Sequence, residues 1–158
     1  MLKLRKEESI ILRIINLAEQ LKRRRDRISQ DLGISTQQWL ILLHLAFDPN
    51  IPFLERYPQK KPLLASELAE SLDVTRPNIT AITNVLLDKG LITQTDDDID
   101  KRRKRLTLTQ KGWDLLKDLQ VPREKLNSEL FSKFEEVELN AFLKYLSKCM
   151  EILEQDMY

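Results

Sequence analysis

The sequence predicts a mainly α-helical domain of the α+β class, with one small β-hairpin set among helices. Apolar residues recur at intervals of three and four along most of the 158 residues, and a period of two appears only near residues 105–108. The 3 glycines and 6 prolines are too few for a β architecture with many turns. The length and a hydrophobic fraction of 42% predict one globular domain over residues 1–158.

The first third of the chain predicts two helices followed by a proline-rich insertion. The first helix spans residues 6 to about 30 and ends before Gly33. Ser35 and Gln38 form a capping box that opens an almost wholly apolar helix, which should be central and buried. Residues 48–62 hold four of the six prolines, so we expect a loop or an irregular insertion there, whose role the sequence leaves open.

The middle of the chain predicts a helix-turn-helix followed by a charged hairpin. The pieces are a helix over residues 64–72, a turn at 73–74, a helix over 75–89 with Thr75 as its N-cap, and a two-stranded hairpin over 91–109. This order is that of a winged helix-turn-helix. Its second helix fits the major groove of DNA, and its charged hairpin reaches the backbone or the minor groove.

Two further helical elements follow the hairpin. Helical spacing resumes at Thr109, and Pro122 is expected to kink or split that element. A last helix carries apolar residues from Val137 to Leu153. Trp113 in the first of these elements, like Trp39 and His44 earlier in the chain, is expected in the core.

Composition excludes several classes of function. One cysteine and one histidine exclude a disulfide framework, a thiolate zinc finger and a multi-histidine metal site. Asp96, Asp98 and Asp100 begin a calcium-loop pattern, but lysine and threonine stand where glycine and glutamate are needed. No nucleophile–base pair or phosphate-binding glycine loop is visible, so we expect no enzyme, no metal and no cofactor. No targeting or membrane-spanning segment is visible, which favours the cytoplasm.

Charge is distributed unevenly although the formal net charge is +1. Residues 1–31 carry +4, residues 32–73 carry −2, residues 74–112 carry +3, and residues 113–158 carry −4. Two positive segments indicate a molecule with a basic face. Ordinary variation among charged helices explains the same distribution, so charge alone leaves both interpretations open. The densest basic cluster, residues 22–27, suits either the flanks of a DNA site or simple solvation of the first helix.

Three stretches carry a resemblance to a known family. Residues 63–72 match the first helix of a helix-turn-helix, and residues 74–92 match a recognition helix and its exit. Residues 100–112 match the wing pattern D-x-R-x-x-x-L-x-L-T-x-x-G across thirteen positions. On these residues the chain resembles the MarR family of transcriptional regulators. It departs from the family in its long insertion, in Leu64 where a Ser or Thr cap is usual, and in Pro122.

The resemblance implies a winged helix-turn-helix with N- and C-terminal dimerisation helices. Residues 36–112 would form the DNA-binding part, and residues 1–35 and 113–158 the helical dimerisation part. It also implies a sequence-specific transcriptional regulator, a ligand-responsive repressor that binds a pseudopalindromic operator in double-stranded DNA as a homodimer. The expected effector is a small molecule, phenolic or anionic. The alternative is a winged-helix protein-interaction module that does not bind DNA.

Two sets of residues are the candidate DNA contacts. Arg and Asn read guanine and adenine by paired hydrogen bonds, and hydroxyls hold phosphates. The recognition helix offers Thr75, Arg76, Asn78, Thr80, Ala81, Thr83 and Asn84. In the wing, the resemblance implies that Arg102 enters the minor groove and that Asp100 holds it in place. The neighbouring basic residues are candidates for phosphate contacts, although strand alternation prevents all five basic residues from facing the same way: Lys101, Arg103, Lys104 and Arg105. The competing interpretations are a polar helix face and a solvated loop.

Overall fold

The computed structural model describes residues 2–156 and confirms the mainly α-helical class. Its elements are α1 (Lys6–Asp31), α2 (Thr36–Leu45), a 3₁₀ helix (Pro52–Arg56), β1 (Leu63–Leu64), α3 (Ala65–Leu72), α4 (Arg76–Asp88), β2 (Ile92–Asp96), β3 (Lys104–Leu108), α5 (Gln110–Phe131) and α6 (Glu136–Gln155). The chain divides into two compact units, one up to Pro122 and one from Arg123 onward. None of the helices described is long and apolar enough to cross a membrane.

Helix α2 forms the centre of the core in the first unit, as its apolar sequence predicts. Trp39, Ile41 and Leu42 are fully buried among apolar side chains that include Leu68 of α3 and Leu86 of α4. Each such side chain removed from water stabilises the fold by roughly 1.5–3 kcal/mol. The core therefore fixes α3 and α4 against one scaffold, which gives the helix-turn-helix a defined geometry.

Short-range signals end and begin the helices as the sequence predicts. The Ser35 hydroxyl accepts a bond from the Gln38 amide at 3.1 Å, and the Gln38 side chain accepts one from the Ser35 amide at 3.1 Å. Gly33 follows α1 with φ of 75°, in the left-handed region that glycine adopts without steric cost. The turn between α3 and α4 is made by Asp73, with φ of 51°.

The sheet has three strands in the order β1-β3-β2, whereas the sequence predicts a two-stranded hairpin. Leu63 pairs with Leu106 and Leu64 with Arg105. Leu64 is extended instead of beginning the helix, and its amide donates to the Glu67 carboxylate at 2.7 Å. Because an isolated hairpin is only marginally stable, the added strand and its two buried leucines anchor the wing to the core.

Three other expectations can be compared with the structure. The insertion at residues 48–62 is irregular apart from a short 3₁₀ helix, and Leu54 of that helix is buried in the core. Helix α5 runs through Pro122 without a break, so Pro122 does not split the element; the proline costs one backbone hydrogen bond inside the helix. Trp113 is 46% exposed and is not a core residue.

His44 is buried as expected, with its ring nitrogens 2.6 Å from the Leu40 carbonyl and from the Ser71 hydroxyl.

Candidate nucleic-acid interface

The recognition helix α4 begins with the cap that its sequence predicts. The Thr75 hydroxyl accepts a hydrogen bond from the Asn78 amide at 3.3 Å, and Pro77 occupies the first turn. Amides at the start of a helix that have no partner within it carry partial positive charge. The start of α4 is therefore suited to a phosphate group.

The exposed face of α4 collects six of the seven residues predicted from the sequence. Ile79 and Leu86 are buried, which turns the opposite side of the helix outward. The exposed predicted residues are Thr75, Arg76, Asn78, Thr80, Ala81 and Asn84. This face offers a guanidinium, two amides and two hydroxyls together, which are groups that read base edges and hold phosphates.

Thr83 is the exception, and its prediction as a DNA contact is corrected. Its side chain is 5% exposed, and its hydroxyl donates to the carbonyls of Ile79 at 2.9 Å and Thr80 at 3.1 Å. A buried hydroxyl with its hydrogen bond made inside the helix is unavailable to DNA. Val85, which the sequence analysis did not select, is 40% exposed. Its methyl groups suit contact with the methyl group of thymine.

The tip of the wing presents Arg102 on a carboxylate support. The Arg102 guanidinium bonds both oxygens of Asp100, at 3.1 and 3.4 Å, and the Arg102 amide bonds the same carboxylate at 3.0 Å. The Arg102 side chain is 92% exposed, whereas that of Asp100 is 34% exposed. The bonds from Arg102 hold the pKa of Asp100 below its usual value, so this carboxylate stays charged at neutral pH. Asp100 is thus paired with Arg102, and its role in holding that arginine for DNA stays a prediction.

The other basic residues of the wing fall into two groups. Lys101 and Arg103 are exposed at the tip, with side chains available to phosphates. Lys104 is also exposed, but its ammonium forms an ion pair with Asp96 on the neighbouring strand. The negative charge of Asp96 therefore offsets the positive charge that Lys104 adds to the surface of the wing.

Arg105 is not a phosphate contact, which corrects the prediction made from its charge. Its side chain is 15% exposed and bonds inward, through Nε to Asp97 at 2.6 Å and through Nη1 to the Pro62 carbonyl at 2.6 Å. Asp97 is itself 2% exposed. The bond from Arg105 holds the pKa of Asp97 below its usual value, so the two charges form a stable pair.

Within residues 2–156, no group of three or more His, Cys, Asp or Glu side chains is arranged to hold a metal ion. The three aspartates that suggest a calcium loop are instead divided between a strand, the wing tip and the Arg102 support. Cys149 is a free, exposed thiol.

Comparison with known proteins agrees with the geometry. A family model described as MarR family matches residues 32–103. PapX of Escherichia coli, an HTH-type transcriptional regulator, is 37% identical over 70 residues, which are 44% of this chain and 43% of PapX. The E. coli transcriptional repressor MprA is 24% identical over 150 residues, which are 94% of this chain and 80% of MprA. The chain thus spans less than half the length of PapX.

A solved structure has the same fold. The S. aureus MepR–DNA complex superposes with a TM-score of 0.71 at 23% sequence identity, and the match covers 92% of this chain and 95% of MepR. The matched family model contains α3, α4 and most of the wing, which are the elements that carry the interface described above. Residues 32–103 of this chain are therefore similar to the MarR family.

Proposed function

We propose that the protein is a sequence-specific DNA-binding transcriptional regulator and not an enzyme. The observation that carries the proposal is the combination of two elements: the polar, N-capped face of α4 and a basic wing tip in which Asp100 supports an exposed Arg102. A helix in the major groove with an arginine in the adjacent minor groove reads both base edges and groove width. MepR, which has the same fold, has been solved as a complex with DNA.

We propose that it acts as a homodimer. Helix α1 carries large apolar side chains that stay exposed in the single chain: Ile10, Ile11, Leu12, Ile14, Ile15 and Leu17. In the second unit, α6 has the same character, with Val137, Phe142, Leu143, Met150, Ile152 and Leu153 exposed. Apolar surface of this extent is rarely left in water, and burial against a second copy accounts for it. A two-fold dimer places two recognition helices on a pseudopalindromic site.

We further propose that it is a cytoplasmic repressor that responds to a small anionic or phenolic ligand. A cavity of about 310 Å³ in the first unit has apolar walls that include Leu32, Leu91 and Leu115, and its charged lining consists of Lys89, Lys111, Asp114 and Asp118. Apolar walls suit an aromatic ring, and the two ammonium groups offer donors to a phenol or carboxylate on it, while the two carboxylates offset their positive charge. Lys89 also donates to the Gly33 carbonyl at 2.6 Å, which joins the end of α4 to the end of α1. A ligand that competes for Lys89 would alter the position of the recognition helix.

Selection of bound fragments from random DNA by the purified protein tests the proposal. We expect an enriched inverted repeat with half-sites about one helical turn apart, roughly 34 Å, because each copy presents one recognition helix. A single unrepeated motif would contradict the dimer. Absence of binding to any DNA at low salt would contradict the function itself and favour the protein-interaction module.

A further inference from the structure

We propose that Asp97 and Arg105 are positioning residues that orient Arg102 for DNA, although neither touches DNA. The proposal rests on the function proposed above, since it concerns how the wing reads DNA. The two side chains form the buried base of the wing, below the exposed tip. They also connect the proline-rich insertion to the wing, because Arg105 donates to the carbonyl of Pro62 at the end of that insertion.

The contacts form a continuous chain from the core to the tip. Arg105 bonds the Pro62 carbonyl on one side and the Asp97 carboxylate on the other, each at 2.6 Å. The second oxygen of Asp97 accepts the backbone amide of Asp100 at 3.3 Å. Asp100 in turn holds Arg102 through three bonds of 3.0 to 3.4 Å. The position of the exposed guanidinium is therefore set, bond by bond, by a buried ion pair.

Backbone hydrogen bonds also order the tip beside this pair. The Asp97 amide donates to the Arg103 carbonyl at 3.0 Å, and the Arg103 amide donates to the Asp100 carbonyl at 2.9 Å. These bonds fold residues 97–103 into a compact turn instead of a loose loop. A pre-oriented guanidinium loses less side-chain entropy on entering a groove, so the support strengthens binding without adding a contact.

The negative charge of Asp97 and its proposed positioning role predict opposite effects of Asp97→Asn on the affinity for DNA. Asp97→Asn removes a negative charge close to the DNA, and electrostatics alone would tighten binding. The proposal predicts weaker binding, since Arg105 loses its partner and the amide of Asp100 loses a charged acceptor. The matched control is Asp98→Asn, which removes the same charge one residue away, where the side chain is 86% exposed and lies 3.8 Å from Lys61.

The experiment measures operator affinity by fluorescence anisotropy for the full chain and both variants at one salt concentration. We expect Asp98→Asn to bind the operator as tightly as the wild-type protein or more tightly. Asp97→Asn should bind about tenfold more weakly than the wild-type protein, because it loses a charge-assisted hydrogen bond that supports the tip. Asp97→Glu, which keeps the charge, should recover most of the affinity. If Asp97→Asn binds as tightly as Asp98→Asn, the inference is wrong.

A double-mutant cycle with Arg102→Ala separates positioning from general destabilisation. If Asp97 acts through Arg102, then Asp97→Asn adds little to the loss caused by Arg102→Ala. If the two losses multiply, Asp97 acts through the stability of the fold and the inference is overturned. Should Asp97→Asn fail to fold, Arg105→Lys replaces it, because a lysine cannot bond Asp97 and Pro62 in the same forked geometry. Unchanged affinity in that variant also refutes the inference.

The two proposals fail in different ways. If the wild-type protein shows no operator binding that depends on Arg102, the proposed function is wrong. If binding depends on Arg102 but Asp97→Asn behaves like Asp98→Asn, the function stands and the positioning role is wrong.

Discussion

Replacing Arg102 with alanine tests the wing with little disturbance to the fold. The side chain is 92% exposed, and its hydrogen bonds are made to Asp100, two residues away in the same tip. Exposed substitutions of this kind change stability by about 0.5 kcal/mol or less. Loss of DNA affinity in Arg102→Ala would therefore report the contact with DNA and not unfolding.

The expected size of the effect follows from counting charges. A dimer presents two Arg102 side chains, and each charge that neutralises DNA adds roughly 0.9 to the slope of log affinity against log salt concentration. The variant should therefore show a slope shallower by about 1.8. Between about 50 and about 200 mM salt, the affinity deficit of the variant should shrink roughly twelvefold.

Anisotropy titrations of a labelled operator at several salt concentrations measure both slopes. The control is Lys117→Ala, which removes one positive charge from an exposed position on α5, outside the wing segment. Its slope should match that of the wild-type protein. Equal slopes for Arg102→Ala and the wild-type protein would refute the placement of Arg102 against DNA.

Three further predictions concern stability, the recognition face and assembly. Burial lowers the pKa of His44 below 6.5, so the unfolded chain binds the proton at a higher pH than the folded protein does. The free energy of unfolding should therefore fall as the pH drops below about 6.5, by at most about 1.4 kcal/mol per pH unit. Urea unfolding of His44→Gln between pH 7.5 and 5.5 should lack this dependence. Thr80→Ala should weaken operator binding, whereas Thr83→Ala should lower the melting temperature and leave the affinity of the folded protein unchanged. Ile14→Glu should shift the sedimentation coefficient to that of a monomer, and a dimer that persists would contradict burial of that face.

Much of the fold is predictable because its signals are local. Ser35 with Gln38, Thr75, Gly33 and the apolar spacing of α2 each act within a few residues. The wing pattern is local as well, down to its final glycine. A Cβ on Gly112 would lie 2.2 Å from the Leu91 carbonyl oxygen, so only glycine lets α5 start against the end of the hairpin. These are contacts that a single sequence can encode visibly.

The recognition face is less predictable, because whether Thr83 and Val85 are exposed depends on the angle at which each side chain leaves the helix. Thr83 lies four residues after Ile79, which puts it on the buried side, and Val85 lies six after Ile79, which turns it outward. Side-chain polarity alone would place Thr83 on the exposed side of the helix and Val85 on the buried side. Helical spacing was the available signal, and it outweighs polarity here because a threonine hydroxyl can bond the carbonyl of its own helix.

The roles of the wing charges depend on contacts between distant parts of the chain. Five basic residues in succession, 101–105, look equivalent in the sequence, and a period of two separates them into only two faces. What distinguishes Arg105 is the Pro62 carbonyl, 43 residues earlier, which lies beside it only because β1 pairs with β3. Residues 63 and 64 are too short a segment to predict as a strand, so the sequence does not show that the Pro62 carbonyl lies beside Arg105. The proline-rich insertion thus ends at the carbonyl that helps turn one arginine of the wing inward, while Arg102 is left exposed for DNA.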